Sequence, residues 1–256
     1  MKSKLLAGAA LVAIFAASGA SAQVVNGFYG AIDLGYHMPE GVEAESANNM
    51  PNGQRYDWTF DTEDDFAGFA RIGYRISPQF RVELEGGYRG GDIESVRGST
   101  APGAIQGLCS QAILRTAANP TCESPEGRIE AYTLMANAIF DFDFALFQRF
   151  VPFVGFGAGV NRLNYDIIGQ FSNVGTVTAA NPAFQNLVID DEDVVFAYQG
   201  LAGLTYNATE RLAVDLTYRY LSGAESDFQS TGSARAGNPP AASGLQPGMF
   251  TGRYED

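Results

Sequence analysis

Phe80-Arg81-Val82-Glu83-Leu84-Glu85-Gly86-Gly87-Tyr88-Arg89 alternates without interruption. Phe80, Val82, Leu84, Gly86 and Tyr88 project one way, and Arg81, Glu83, Glu85, Gly87 and Arg89 project the other, because successive side chains of an extended chain point to opposite faces. One face is apolar and the other mostly charged, the pattern of a β-strand standing between two unlike environments.

The same period recurs along the chain. It predicts seven strands, at 26–37, 66–76, 80–89, 129–144, 152–166, 194–206 and 212–221, each near the length of roughly ten residues that a tilted strand needs to cross a bilayer. Alternation does not say which face looks inward, but the connections do. They run long and short in turn: 37–64, then Ser77-Pro78-Gln79, 92–128, 145–151, 168–193, 207–211 and a final long tract from Gly223. Tight turns on one side and long loops on the other are the layout of an outer-membrane barrel, with the apolar face toward lipid. Aromatic residues fall at strand ends, as girdles at the two membrane surfaces require. Tyr36, Tyr88, Tyr132, Tyr218 and Tyr220 lie near the long loops, and Phe28, Tyr74, Phe80, Phe140, Phe142 and Tyr206 near the short turns.

The N-terminus agrees with export. Lys2 and Lys4 precede an apolar run over 5–17, and Ala20-Ser21-Ala22 supplies a small-residue cleavage site, so residues 1–22 read as a signal peptide removed after Ala22. Lys2 and Lys4 are the only lysines: the 16 basic residues fall to 14 arginines, and the formal charge moves from −13 to −15. Nucleic acid is excluded as a partner because no basic footprint remains. Beyond the signal no run of about 18 apolar residues occurs, which excludes a helical membrane protein.

Gly27-Phe28-Tyr29-Gly30 through Gly35-Tyr36, the run from Pro152 to Val160, Phe196-Ala197-Tyr198-Gln199-Gly200-Leu201-Ala202-Gly203, and Val214-Asp215-Leu216-Thr217-Tyr218-Arg219-Tyr220 resemble successive strands of OmpA-type outer-membrane barrels. The resemblance covers nearly all of the mature chain. It implies an all-β, eight-stranded, antiparallel up-and-down barrel over 23–256. Many family members add a periplasmic peptidoglycan-binding domain, which nothing here resembles. After the last long tract only Gly248 to Asp256 remains, so the eighth strand is expected to be largely missing. Seven strands in lipid would leave two unpaired edges, each unsatisfied group costing several kcal/mol, and the chain is therefore expected to be part of a longer one.

Lumen parity collects Asp33, Arg71, Arg75, Glu83, Glu85, Arg89, Asp215 and Arg219, with Asn137 and Gln199 nearby. An eight-stranded barrel is only wide enough for side chains to fill, and enclosed charges must pair. The set reads as a structural salt-bridge core; a gated pore, with partners that exchange, is the alternative. His37, the single histidine, reads as a polar rim residue rather than the base of a Ser-His-Asp triad. Cys109 and Cys122 share one long loop of an oxidising surface, which predicts a disulfide worth about 3 kcal/mol in the chain-entropy model. With no further cysteine, a metal site lacks ligands. Gly155, Gly157 and Gly159 lie within a strand without a following helix, so they are no dinucleotide loop; they are expected to leave room for the arginines. The acidic runs at 61–65 and 190–193 lack EF-hand spacing and read as solvated loop acids, with cation-bridged contact to lipopolysaccharide as the sharper option.

No cofactor and no catalysis are expected. The expected role is structural, in envelope integrity, among outer-membrane lipid and lipopolysaccharide. Peptidoglycan would be reached through a domain outside this chain. The alternative is a surface adhesion protein acting through its long loops, where binding often resides.

Overall fold

The computed structural model describes residues 27–49, 53–98, 107–110, 124–142, 149–172, 184–209, 211–234 and 248–256; the expected signal peptide and Cys122 lie outside them. The opening segment forms a hairpin with its upstream neighbour: β4 (Asp65–Ser77) turns tightly into β5 (Phe80–Gly98). The Ser77 hydroxyl accepts the Phe80 N–H at 3.1 Å and closes the turn. β1 (Gly27–His37) flanks β4 from Gly27↔Arg75 to His37↔Asp65. On the other side of β5 follow β7 (Glu126–Asp141), β8 (Phe150–Ser172), β9 (Phe184–Asn207) and β10 (Ala213–Ala234). The short connections at 77–79 and 207–211 fall between strands as the sequence places them, and aromatic rings pair near both ends of the strands. Phe28 meets Tyr74 at 4.9 Å between ring centroids, Tyr36 meets Phe66 at 6.1 Å and Tyr88 meets Tyr132 at 5.0 Å.

Among the described residues the sheet has eleven strands, not seven. The expected loop 37–64 contains β2 (Val42–Asn49) and β3 (Arg55–Thr62), and the final tract contains β11 (Met249–Glu255). A two-residue strand, β6 (Gly107–Leu108), pairs with β5. The tract expected to carry only a remnant thus supplies a strand paired with both β10 and β2. Closure is uneven. Away from the short turns, β5, β3, β2, β11, β10, β9, β8 and β7 join into a ring, since β7 also pairs with β5. Near the short turns, among the described residues, β1 pairs only with β4, and β10 below Leu221 pairs only with β9.

The strands also outrun their expected bounds. β9 has 24 residues; at about 3.3 Å per residue and a tilt near 40° it stands roughly 60 Å tall, against an apolar band of about 25 Å in such barrels. The side chains show where the band ends. Along β8, Val154, Phe156 and Val160 face outward, then Arg162 and Asp166 do. Along β9 the outward set runs from Leu204 through Tyr198, Phe196 and Val194 to Glu192 and Asp190. On the inner face the change is reversed: Asn161 gives way to Leu163, Tyr165 and Ile167, and Gln199 to Ile189 and Leu187. The molecule is a belt, apolar outside and polar inside, that continues into an outer cylinder of the opposite polarity.

The acidic run 190–193 lies on a strand, and of the run 61–65 only Glu63 and Asp64 fall between strands. Asp191 and Asp193 sit on β9 where its register with β10 breaks, between Gly223 and Ser230. Their carboxylates accept the backbone N–H groups of Gln229 at 2.7 Å and Asp227 at 2.9 Å, in place of ladder carbonyls. Asp61, on β3, accepts from Ser95 and Arg97 of β5.

Candidate functional site: the filled lumen

Inside the belt, inward positions of β1, β4, β5 and β10 converge on Arg71. Its Nη2 donates to Asp33 at 3.1 Å and to Asp215 at 2.6 Å, and its Nη1 to Glu83 at 3.4 Å. Arg219 donates to Asp33 and, at 3.1 Å, to Glu85. Of the expected set, Asp33, Arg71, Glu83, Glu85, Asp215 and Arg219 thus form one connected cluster, and every member is buried or nearly so. Arg75 lies near the short turns and reaches the cluster only indirectly, donating to Asp141 at 2.6 Å. Arg89 lies at the opposite end, with its Nε 2.8 Å from Asp256. Arg89 and Arg219 also both stack on the Phe69 ring, 4.7 and 4.2 Å from its centroid.

Three charged partners escape the sequence reading. Arg81 donates to Glu83 and to Asp141, each at 3.2 Å, and Asp256 holds Arg89. Parity was the available signal for two of them: Arg81 shares a face with Glu83, and Asp141 with Asn137. Asp256 had none, because it follows a strand the sequence did not reveal. Tyr29 completes the cluster by donating to Glu83.

Gln199 ties the acids to the far wall. Its amide nitrogen donates to Glu85 at 2.9 Å and to Asn137 at 2.8 Å. This pair, and not the arginines, occupies the space left by glycine: a Cβ on Gly157 would lie 2.0 Å from Asn137 Oδ1 and 3.0 Å from Gln199 Cγ.

Above the charges, the outer cylinder is packed with rings. β3 directs Tyr56, Trp58 and Phe60 inward, and β8, β10 and β11 direct Tyr165, Phe171, Phe228 and Phe250 to meet them. Ring centroids are 5.2 Å apart for Trp58 and Phe250, 5.6 Å for Phe60 and Phe228, and 4.2 Å for Tyr165 and Phe228. Burial pushes the Tyr56 phenol up to about 12, so it packs as a neutral group. The expected loop 37–64 hides these rings from a sequence reading, although Arg55 to Thr62 alternates as cleanly as the opening segment.

His37 ends β1 buried, its Nε2 3.0 Å from the Gly90 carbonyl and its Nδ1 3.5 Å from Asp256. No serine is among these partners. Cys109 is buried beside β8, exchanging backbone hydrogen bonds with Gln170 at 2.9 and 2.8 Å, while Cys122 lies outside the described residues. Among the described residues no group of acids, histidines and cysteines is arranged to hold a metal ion.

Comparison with known proteins places this architecture. A family model described as outer membrane protein beta-barrel domain matches residues 7–238. A protein of Gluconacetobacter diazotrophicus named outer membrane protein is 25% identical over 207 residues, covering 78% of this chain and 47% of that protein; the chain therefore spans about half the length of the curated relative it matches. A solved structure of Ail, the attachment invasion locus protein of Yersinia pestis, in complex with the heparin analogue sucrose octasulfate, aligns with a TM-score of 0.32 and 12% identity, over 89% of this chain and 97% of that one.

Proposed function

The chain belongs to the outer membrane protein beta-barrel domain family, and we propose that within it the protein is a non-conducting structural barrel that supports envelope integrity. The observation carrying this reading is a lumen filled at two levels. An ion would have to displace both the salt-bridged cluster around Arg71 and the rings around Trp58. Buried charges that lose a partner cost several kcal/mol, and a packed aromatic core gives no path at all. The uneven closure fits an OmpA-type eight-stranded design: β1 with β2, and β4 with β3, each act as one broken strand, and β11 forms the outer half of the eighth.

The same proposal includes export with cleavage after Ala22, a Cys109–Cys122 disulfide, and a setting of outer-membrane lipid and lipopolysaccharide. Where a wall-binding domain accompanies such a barrel, the barrel anchors it and peptidoglycan is the partner. No catalytic role falls to His37. The test is twofold. The purified protein reconstituted in planar bilayers is expected to show no conductance steps, and a deletion strain to become detergent-sensitive and leak periplasmic enzymes. Conductance steps from wild-type protein would replace this reading with the pore.

The outer cylinder favours adhesion as a second reading, since its strands reach well beyond the apolar band. Removing those connections while keeping the strands separates the two: loss of attachment with an intact envelope would favour adhesion.

A further inference from the structure

In the outer cylinder β7 falls short of its neighbours. It begins at Glu126, opposite Ile168 of β8, and its last pair with β5 is Arg128↔Asp92, whereas β5 runs on to Gly98 and β8 to Ser172. Residues 107–110 take its place above that level. Leu108 and Gly107 pair with Val96 and Arg97 of β5, while Cys109 and Gln170 of β8 exchange backbone hydrogen bonds at 2.9 and 2.8 Å. The Gln170 amide nitrogen also donates to the Ser110 carbonyl at 2.6 Å. A short strap thus joins β5 to β8 across the end of β7.

Two glycines make its seat. Gly107 has a φ of +112°, and a Cβ there would lie 2.1 Å from the Val96 carbonyl oxygen. A Cβ on Gly169 would lie 2.5 Å from Leu108 Cγ and 2.7 Å from the Cys109 carbonyl oxygen. A side chain at either position would hold the strap off the wall. Leu108 is fully buried and belongs to the same apolar cluster as Trp58 and Phe171. Phe171 follows Gln170, and its ring centroid is 5.9 Å from that of Trp58, so the strap and the ring packing are coupled.

Ordering the strap costs backbone entropy comparable with what one buried leucine and a few hydrogen bonds return. A tether changes that balance, because it shortens the loop that must close. Cys109 lies in the strap, and Cys122 precedes Glu126 by four residues in the chain, so their bond ties the strap close to the start of β7.

We propose that residues 107–110 are a redox-operated strap, resting on the disulfide proposed above: oxidation of Cys109 and Cys122 holds the strap between β5 and β8, and reduction releases it.

Closure proceeds by exchange with a disulfide oxidant. The two cysteine thiols give up two electrons and two protons, a sulfur–sulfur bond forms between them, and the bond of the oxidant is cleaved to two thiols. A dithiol reverses the step. Release leaves Val96, Arg97 and Gln170 as open ladder edges and withdraws Leu108 from the ring cluster.

The full chain folded in detergent micelles carries its own reporter, since Trp58 is the one tryptophan. In the unfolded protein, both cysteines should take up iodoacetamide only after reduction; uptake at both without reduction would overturn the disulfide on which the strap depends. With the disulfide established, reduction by dithiothreitol of the folded protein is expected to speed amide exchange at Cys109 and Gln170 by at least about tenfold, as local opening does. Trp58 emission should move to longer wavelength, and amides of Ala131 to Ile139 should exchange as before. Cys122→Ser should match reduced wild type under oxidising conditions. Equal exchange at Cys109 and Gln170 before and after reduction would overturn the strap alone, whether or not the variant folds.

Discussion

Arg71 faces Asp33, Glu83 and Asp215 at once, and all four side chains are enclosed or nearly so. Removing one partner of a buried ion set leaves the rest uncompensated, which costs about 3–5 kcal/mol. Arg71→Met is therefore expected to lower the unfolding free energy of the barrel, read from urea titration in micelles, by an amount in that range. A loss below about 1 kcal/mol, the size of a surface pair, would show that the cluster is wet. At this scale the sequence was informative where parity could be counted. Asp33, Arg71, Glu83, Glu85, Asp215 and Arg219 were all legible from alternation, because every second residue of a strand shares its environment. Arg81 and Asp141 were equally countable but were not drawn into the set. The partner of Arg89 was not legible: nothing in Gly248 to Asp256 declares that its last carboxylate returns to the lumen.

The strands carry a reversal of polarity along their length. β8 faces lipid with Phe156 and water with Asp166, and beneath them the inner face passes from Asn161 to Tyr165. Arginine at an outward position should thus cost about 2–4 kcal/mol near the middle of the apolar band and close to nothing beyond it. Phe156→Arg is expected to lower folding stability in lipid vesicles by that amount, and Asp190→Arg by less than about 1 kcal/mol. Equal costs would mean that the band does not end between Val160 and Arg162. The sequence reading follows the alternation past this point only on β8, as far as Asp166, and does not show its inversion. The period is two in the belt and in the cylinder alike, and only the neighbouring strands determine which face is inside. For the same reason β2, β3 and the outer parts of β8, β9 and β10 passed as loop: their outward acids looked like solvated loop residues. They are solvated, but on strands.

On the scale of the whole molecule, two cores of unlike chemistry stand one above the other in a single sheet. The charged cluster fills the part held in the membrane, where lipid already satisfies the outer apolar face. The ring cluster around Trp58 fills the part in water, where hydrophobic burial drives packing as in a soluble protein. The short turns, girdles and membrane-facing strands were visible from the chain alone; the second core was not, because it assembles from segments as distant as Trp58 and Phe250. The apolar belt ends partway up the strands. Single-tryptophan proteins test it most directly, since Trp58 is the one native tryptophan. Trp58→Phe is combined with either Phe156→Trp or Asp166→Trp, and each protein is folded into vesicles containing brominated lipid. Fluorescence of the first should be quenched by brominated lipid and not by aqueous iodide, and that of the second by iodide and not by lipid. Lipid quenching of both, or iodide quenching of both, would contradict the two-tier barrel.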